Sequence, residues 1–447
     1  MAVSAPTRTG SATAGDPAAL AWAPAASADR GDAGRAGRLL TGALLAVLLY
    51  SVFAHGAASQ PQEARLQVAL CLLAAVTLAV ALWSSRLRVV APPAAWTALG
   101  LLAAFAAWSG LSLAWSVDPP NTWTELNRAI AYVLVVALAV AAGSWDRRAI
   151  RHVALGYAAI AGVVAVYALG GKAFPGLHVG GLVDLDHTNV FARLREPLQY
   201  WNALALFVVL AIPIVLRLVV DDSRPARART AALVALPVFL TTIGLTYSRG
   251  GLLALIVAVA VTLALAGARL RTLLYLALGI AASAPALAYG YTADDLTGVQ
   301  VSLSAREGDG VAFALLLAGG MLALALVGRA VLALEARTPP RPARSRAIGR
   351  ALAGVLCVAA LGGVVAMAAS DRGLSGTISH AWDDFRSPSA EPSQYDPSRL
   401  VSKNAGNRWV WWSEAAGAWS DHPLEGSGAG SFPVRHREYR TNQLDVL

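Results

Sequence analysis

Residues 66–83, LQVALCLLAAVTLAVALW, form a run of eighteen residues without a single charged side chain. At about 1.5 Å per residue, a helix of this length measures roughly 27 Å, close to the roughly 30 Å hydrocarbon core of a bilayer. An uncharged helix of that length is typical of a segment that crosses a membrane.

The same pattern occurs about eleven times along the chain. The apolar blocks cover about 39–57, 66–83, 94–115, 128–143, 150–170, 203–220, 230–247, 251–267, 272–291, 311–335 and 350–370. Of the 447 residues, 56% are hydrophobic and 14% are charged, whereas a soluble domain has about 25% charged residues. We therefore expect an all-α polytopic membrane protein with about 11 transmembrane helices between residues 38 and 370.

Two polar regions flank this helical domain. Residues 1–37 are rich in Ala, Gly, Ser, Pro and Asp without periodicity, which predicts a disordered tail. Residues 371–447 form the other flank. Within it, Arg408–Trp419 has helical spacing that Asp421-His422-Pro423 should end, and a flexible turn at Gly426, Gly428 and Gly430 should follow.

The positions of the basic residues predict the orientation in the membrane. With a cytoplasmic N-terminus, about 21 of the 36 Lys and Arg residues but only about 7 of the 27 Asp and Glu residues fall on the inner side. This bias is the one that short cytoplasmic loops show. We expect a multi-pass protein of the cell (plasma or inner) membrane, with 1–37 cytoplasmic and 371–447 extracytoplasmic. The longer outer segments, about 171–202, 292–310 and 371–447, are large enough to form a site.

Several function classes are disfavoured by composition. The formal charge of +9 is spread over short loops, so we expect no nucleic-acid partner. Only Cys71 and Cys357 are present, and the four outer histidines, at positions 178, 187, 422 and 436, lack metal-ligand spacing, so we expect no metal site and no cofactor. The apolar blocks contain almost no ionisable residue near their centres, which disfavours ion-coupled transport.

Arg249 is the first candidate functional residue. It lies in Ser248-Arg249-Gly250-Gly251, a short hairpin between two apolar blocks that should sit at the outer membrane surface. There it can reach a lipid-borne phosphate, and the two glycines let backbone N–H groups approach the same anion. The alternative is an interfacial arginine that only stabilises a tight turn.

Arg408 is the second candidate. It precedes Trp409, Trp411 and Trp412 at the start of the predicted outer helix. An arginine among aromatic rings could hold a diphosphate while the rings stack on sugars. The alternative is an arginine that stacks on tryptophan at the protein surface.

Three groups of residues resemble the O-antigen ligase and polymerase-like membrane glycosyltransferases. Residues 248–251 are similar to an S-R-G-G element of that family, and residues 193–203, RLREPLQYWNA, are similar to the start of a helix in it. Asn407-Arg408-Trp409, followed by Trp412, His422-Pro423, Gly426, Gly428 and Phe432, is similar to its R-x₃-W and H-P-x₂-G-x-G segment. The resemblance covers roughly residues 40–447.

This resemblance implies transfer of a glycan from a polyprenyl-diphosphate-linked donor to a hydroxyl of a glycan or lipid acceptor, with membrane lipid as the surroundings. Arg249 and Arg408 match the two functional arginines of the family and would neutralise the leaving diphosphate. The remaining matched positions are expected to bind substrate: Arg193, Arg195, Tyr200, Asn202, Ser248, Gly250, Gly251, Trp409, Trp412 and His422.

One element of the family pattern is missing. The base proposed for the family is a histidine followed by Asn, Ser or Gln, which comes after this outer segment and before further helices. Neither His422 nor His436 has such a neighbour. We therefore expect the chain to be a fragment whose base lies beyond Leu447, and the alternative is a degenerate member of the family. A transporter of lipid-linked glycans and a non-catalytic envelope assembly protein remain as alternatives.

Overall fold

The computed structural model describes most of the chain as helix. The residues it describes are 31–84, 87–180, 183–188, 192–337, 362, 368–369, 373–387, 397–400 and 407–440. Within these residues the only sheet is a two-stranded antiparallel hairpin of β1 (His178–Val179) and β2 (Val183–Asp184). The predicted all-α class is confirmed.

The helices of the bundle follow one another with mostly short connections, and the longest connection among them, between α5 and α6, contains the β-hairpin. They are α1 (Gly31–Phe53), α2 (Gln60–Trp83), α3 (Pro93–Leu111), α4 (Pro119–Trp145), α5 (Ala149–Ala173), α6 (Trp201–Val209), α7 (Ala211–Val220), α8 (Ala226–Leu245), α9 (Arg249–Leu265), α10 (Arg269–Thr292) and α12 (Leu303–Arg337). Shorter helices are α11 (Asp294–Thr297), α13 (Gly373–Arg386), α14 (Arg408–Asp421) and α15 (Phe432–Tyr439), with 3-10 turns at His55–Ala57, Ser112–Ala114 and Pro397–Leu400.

The described helices fit a membrane protein that crosses the bilayer many times. Nine spans, with α6 and α7 counted as one, are long and apolar enough to cross a membrane, and α9 is a shorter apolar helix of 17 residues. Ten of the eleven predicted blocks therefore correspond to described apolar helices. The eleventh block, 350–370, lies almost entirely outside the described residues.

Two predicted boundaries differ from the structure. Helix α1 begins at Gly31, so residues 31–37 belong to it and not to the tail; Asp32 in its first turn suits the positive end of the helix dipole. The predicted outer loop at 292–310 is mostly helical, because α11 lies within it and α12 already begins at Leu303. The loop that remains between those helices is short.

Successive long helices run in alternate directions, which gives the bundle two ends. We call the end with the α8–α9 turn the upper end; it also holds the α1–α2, α3–α4 and α10–α12 connections. The opposite end, with the α7–α8 and α9–α10 connections, is the lower end. Prolines near the first residue of α2, α3 and α4 start these helices where no backbone donor is needed.

Helix α8 forms the centre of the main apolar core. It packs against α5, α7, α10 and α12, and its side chains Leu233, Leu236 and Phe239 are almost fully buried. Glycines allow close approach here: a Cβ at Gly320 in α12 would clash with the carbonyl oxygen of Ala282 in α10. Small residues at such contacts are typical of membrane helices, because packing rather than water exclusion drives their association.

One span is broken in the middle. Helices α6 and α7 meet at Leu210, three residues before Pro213. A proline inside a helix removes one backbone donor and pushes away the carbonyl four residues earlier, here Val209. The nearby carbonyl of Phe207 accepts a hydrogen bond from the Tyr157 hydroxyl of α5 at 2.8 Å. This hydrogen bond ties α5 to the last turn of α6, just before the break.

An ionic network closes the lower end. Arg271 of α10 contacts both Asp222, at 2.8 Å, and Glu335 of α12, at 2.9 Å. Arg229 of α8 bonds the Val219 carbonyl at 2.7 Å and reaches Glu335 at 3.3 Å. The Tyr275 hydroxyl adds a bond to Glu335 at 2.8 Å. The network joins α7, α8, α10 and α12.

The C-terminal helices lie across the upper end. A smaller apolar cluster of α1, α2 and α4 lies beside the main core, and α3 packs on α4. The backbone N–H of Val117, just before α4, donates to the carbonyl of Ser427 at 3.0 Å. The Trp115 indole donates to the carbonyl of Glu425 at 3.1 Å. The residues after α14 are thereby attached to the α3–α4 connection.

Candidate functional site

The turn between α8 and α9 is short and tightly bonded. Helix α8 ends at Leu245, Tyr247 adopts a left-handed conformation with φ of 49°, and α9 begins at Arg249. The Ser248 side chain caps α9 by accepting a hydrogen bond from the N–H of Gly251 at 2.9 Å. Arg249 is therefore the first residue of a helix at the upper end of the bundle, two residues before the predicted start of this apolar block.

The two glycines of this turn have different surroundings. Gly251 is buried, and a Cβ there would lie 2.5 Å from the Cβ of Ala205 in α6. Gly250 is exposed. Gly251 therefore allows α9 to pack closely on α6, and its N–H is already used by Ser248. Of the two, Gly250 lies on the side that a ligand can approach.

The buried side chain of Arg193 holds the α8–α9 turn in place by hydrogen bonds. Its side chain is only 1% exposed. The guanidinium donates to the carbonyls of Thr246 at 3.0 Å and Tyr247 at 3.3 Å, and lies 4.0 Å from the ring centroid of Trp201. Carbonyls at the end of a helix lack partners within it, and the Arg193 guanidinium donates hydrogen bonds to two of them here. Its predicted contact with substrate remains a prediction, whereas its contact with the turn is direct.

Asn202 and Tyr200 connect the turn to the start of α6. The Ser248 hydroxyl donates to Oδ1 of Asn202 at 2.6 Å, and Nδ2 of Asn202 donates to the Tyr200 hydroxyl at 2.7 Å. Tyr200 is 49% exposed, so its ring lies at the edge of this bonded chain. Residues 193–202 and 246–251, two separate motifs in the sequence, are one structural unit.

Arg195 lies on the other side of the same loop. It contacts Glu196 at 3.6 Å, and Glu196 also contacts His55 of the α1–α2 connection at 3.8 Å. Burial raises the pKa of the Glu196 carboxyl, while the charges of Arg195 and His55 oppose that rise. Glu196 thus links this loop to the α1–α2 connection, and Arg195 lies beside that carboxylate.

Arg408 reaches the same region from the C-terminal segment. It is the first residue of α14 and is half-buried. Its positive charge acts directly on both Arg249 and Arg193. Burial, with smaller contributions from the charges of Arg399 and Arg408, lowers the pKa of Arg193 to about 9, so this side chain is still protonated at neutral pH. We call Arg193, Arg249, Arg399 and Arg408 the arginine cluster.

The tryptophans beside Arg408 pack against α13. The Trp409 ring lies 5.1 Å from the Trp382 ring in an edge-to-face contact, and Arg386 lies 5.8 Å above it. Trp412 is 56% exposed and touches only the edge of this group, 6.3 Å from Phe385. Trp412 is therefore the more accessible of the two tryptophans predicted to bind substrate.

His422 lies at the other end of α14. It ends the helix, and its ring contacts the Glu425 carboxylate at 3.3 Å. Gly426, Gly428 and Gly430 follow with φ of 64°, 101° and 72°, conformations that suit glycine. The predicted helix end and turn are both confirmed. Because α14 has 14 residues, its two ends are about 20 Å apart, so His422 and Arg408 belong to different parts of the surface.

Histidines and carboxylates elsewhere form pairs. His178 contacts Asp184 at 3.3 Å, and the buried pair His436 and Glu414 joins α15 to α14 at 2.5 Å. Burial lowers the pKa of His187 to about 4. In the part of the chain that the structure describes, no three His, Cys, Asp or Glu residues come together as metal ligands.

The structure thus brings Arg249, Arg408, Ser248 and Asn202 to one region, with Arg193 beneath them. Sequence reasoning missed Arg399, which has no motif around it, and it missed the use of Arg193 as a support. Comparison with known proteins adds no name to this arrangement: no protein-family model, curated protein or solved structure matches the chain.

Proposed function

We propose that this protein transfers a glycan from a polyprenyl-diphosphate-linked donor to an acceptor hydroxyl at the outer surface of the membrane. The observation that carries the proposal is the convergence of Arg249 and Arg408. They are far apart in the sequence, yet their charges interact at one end of the bundle. The sequence resemblance to O-antigen ligases and polymerases assigns these same two positions to the diphosphate.

Electrostatics favours an anion between these side chains. Bringing like charges together in a partly desolvated place costs free energy, and an anion bound between them reverses the sign of that interaction. A guanidinium also presents parallel N–H donors that match phosphate oxygens. A diphosphate has oxygens for more than one arginine at once. The cluster therefore suits a diphosphate better than a single carboxylate.

The same charges would assist the chemistry. The acceptor oxygen forms a bond to the anomeric carbon of the donor sugar while the bond from that carbon to the phosphate oxygen breaks. The electron pair of the broken bond leaves on the diphosphate, whose added negative charge Arg249 and Arg408 stabilise. The hydroxyl proton must pass to a separate base, because an arginine stays protonated and cannot accept it.

The surrounding contacts hold the backbone of the turn that carries Arg249. Ser248 caps the helix, Asn202 holds Ser248, and Arg193 holds the carbonyls of Thr246 and Tyr247. A donor group held in place before reaction avoids the free-energy cost of reorganising it in the transition state. The turn thus presents Arg249 at a fixed position at the start of α9.

The test is glycan transfer in liposomes by the purified protein expressed from its whole reading frame, with a polyprenyl-diphosphate oligosaccharide as donor. We expect Arg249→Ala and Arg408→Ala each to lower the turnover rate by about 10²–10³, the usual cost of removing one transition-state donor. Lysine at either position should lose less, since it keeps the charge but not the paired donors.

A matched control is Arg269→Ala. This arginine is exposed at the lower end of the bundle and bonds only the nearby Ala264 carbonyl, so its removal should leave turnover unchanged. Wild-type rates in Arg249→Ala or Arg408→Ala would overturn the proposal. Movement of a fluorescent donor lipid between leaflets, without transfer, would instead favour the transporter.

A further inference from the structure

A second candidate site lies at the far end of α14 from the arginine cluster. A cavity of about 380 Å³ opens between the upper ends of α3 and α4 and the glycine-rich turn. Its walls come from α3 (Phe105, Trp108, Ser109), Ser112, Glu125 of α4, and residues 425–430. The volume is near the lower end of the roughly 300–1,000 Å³ of small-molecule sites.

Hydrogen bonds between distant parts of the chain hold the walls together. The Ser112 hydroxyl accepts from the N–H of Ala429 at 3.2 Å, and the Thr122 hydroxyl donates to the carbonyl of Ala429 at 2.7 Å. The contacts of Trp115 and Val117 described above attach Glu425 and Ser427 in the same way. The turn is therefore attached over its length, and the cavity exists before any ligand arrives.

The glycines of the turn are needed for this attachment. Gly428 has a φ of 101°, and a Cβ there would clash with the Ser116 side chain. A Cβ at Gly430 would press on the Glu125 side chain at 2.8 Å. A chain with side chains at these two positions could not lie so close to the α3–α4 connection. The glycine pattern is thus explained by the shape of this cavity.

The lining combines aromatic rings with acceptors. Phe105 and Trp108 are 59% and 50% exposed, so their rings are available to a ligand. The charged side chains in the lining are Glu125 and Glu425. Glu125 pairs with Arg128 at 2.5 Å and Glu425 contacts His422 at 3.3 Å, and neither partner is a lining residue. A bound anion would therefore gain no cation in the lining, and acyl chains are disfavoured because burying the carboxylates against them would cost free energy.

An uncharged sugar satisfies both parts of the lining. One face of a pyranose ring carries C–H groups that pack on an aromatic ring, and its hydroxyls donate to carboxylates. We propose that this cavity binds a neutral sugar unit of a glycan substrate. The inference rests on the proposed function and extends it: the reacting sugar lies at the arginine cluster, and this unit lies about 20 Å away, the length of α14.

Direct binding tests the site without turnover. We expect a neutral linear hexasaccharide of hexoses to bind the purified full chain, and a hexasaccharide of uronic acids to bind at least tenfold more weakly. Trp108→Ala should weaken binding of the neutral probe about tenfold. The matched control is Trp96→Ala, a similarly exposed tryptophan (48%) at the other end of the same helix.

A second variant guards against misfolding. Trp108 packs on Trp115 with ring centroids 5.8 Å apart, so Trp108→Ala removes a packing contact as well as a sugar contact. Glu425→Gln keeps the side-chain volume and removes the carboxylate, and it should also weaken binding of the neutral probe. No binding by the wild type, equal binding of both probes, or wild-type affinity in both Trp108→Ala and Glu425→Gln would overturn the inference.

Kinetics separates this inference from the proposed function. Trp108→Ala should raise the KM for one glycan substrate with little change in kcat, whereas Arg249→Ala lowers kcat. A raised KM for the donor places the donor glycan in the cavity, and a raised KM for the acceptor places the acceptor there. If the protein has no transfer activity but binds the sugar in a way that depends on Trp108, the sugar-binding site is supported and the proposed glycan transfer is rejected.

Discussion

At the scale of single residues, Arg193 shows how one buried cation organises a turn. It neutralises two carbonyl ends and stacks on Trp201 while it lies next to other arginines. Two N–H donors in a plane are needed for this geometry, and a lysine has none in that arrangement. The identity of this residue as arginine, and not only its charge, is what the turn requires.

We expect Arg193→Lys to lower the free energy of unfolding by about 1–3 kcal/mol, because a buried carbonyl loses its donor. Thermal unfolding in detergent measures the change. Arg195→Lys is the control: its side chain is more exposed and contacts Glu196 through its charge, so it should change stability by less than about 0.5 kcal/mol. Equal melting of Arg193→Lys and the wild type would show that the paired donors do not matter.

The sequence was informative about residues that stand in motifs. Ser248 and Arg249 could be placed in a short turn, since they stand with two glycines between two apolar blocks, although the capping role of Ser248 was not predicted. The convergence of Arg408 on this turn was expected only from the resemblance. Arg399 and the support by Arg193 could not be predicted, because they depend on which loops meet, and no local pattern records that.

At the scale of elements, an ionic network joins the helices at the lower end of the bundle. Arg271 bonds Asp222 and Glu335 at the same time, and so it ties the α7–α8 connection to α12 through α10. Its side chain is 19% exposed and that of Glu335 is 17% exposed. A network of this kind stabilises mainly by avoiding unpaired charge, so loss of one member is costly.

We expect Arg271→Gln to lower stability by about 1–3 kcal/mol, since Glu335 loses two charged hydrogen bonds. The adjacent basic position offers a control, Arg269→Gln, because Arg269 is exposed and bonds only a carbonyl of the preceding turn. Melting temperatures in one detergent suffice for the comparison. If both variants melt together, the network contributes nothing measurable.

Apolar length alone located most of the elements. It could not locate the break between α6 and α7, although Pro213 gave a signal for it, nor the early start of α12 within a polar stretch. Residues 303–310 carry charges and glycines, which favour a loop locally. Contacts override this preference: Gly310 lies directly against the backbone at the end of α5, and Arg306 bonds Asp186 at 2.6 Å.

At the scale of the whole molecule, the alternating helices separate two chemically different ends. The upper end holds the arginine cluster and the glycine-rich turn, and the lower end holds the ionic network. The basic bias of the short loops predicts that the upper end faces the outside. The proposed function requires this orientation, because the donor lipid presents its glycan there.

Cysteine labelling tests the orientation. In a chain with Cys71 and Cys357 replaced by serine, Ser420→Cys on α14 should react with a membrane-impermeant maleimide in intact cells. Ser223→Cys in the α7–α8 connection should react only after permeabilisation. Both serines are exposed, so burial does not explain a difference. The reverse pattern would place the arginine cluster in the cytoplasm and would rule out the proposed glycan transfer at the outer surface.

Helix α14 connects regions of the bundle that otherwise touch little. Its C-terminal end is attached through the glycine-rich turn to α3 and α4, which lie beside the main core, while its N-terminal end carries Arg408 toward Arg249 on that core. A 10° tilt of a helix roughly 20 Å long would move its far end by about 3.5 Å, enough to separate a pair of groups that bind one anion. Because the thickness of the surrounding lipid affects how helices tilt, we expect the spacing of the two guanidinium groups to change with lipid thickness.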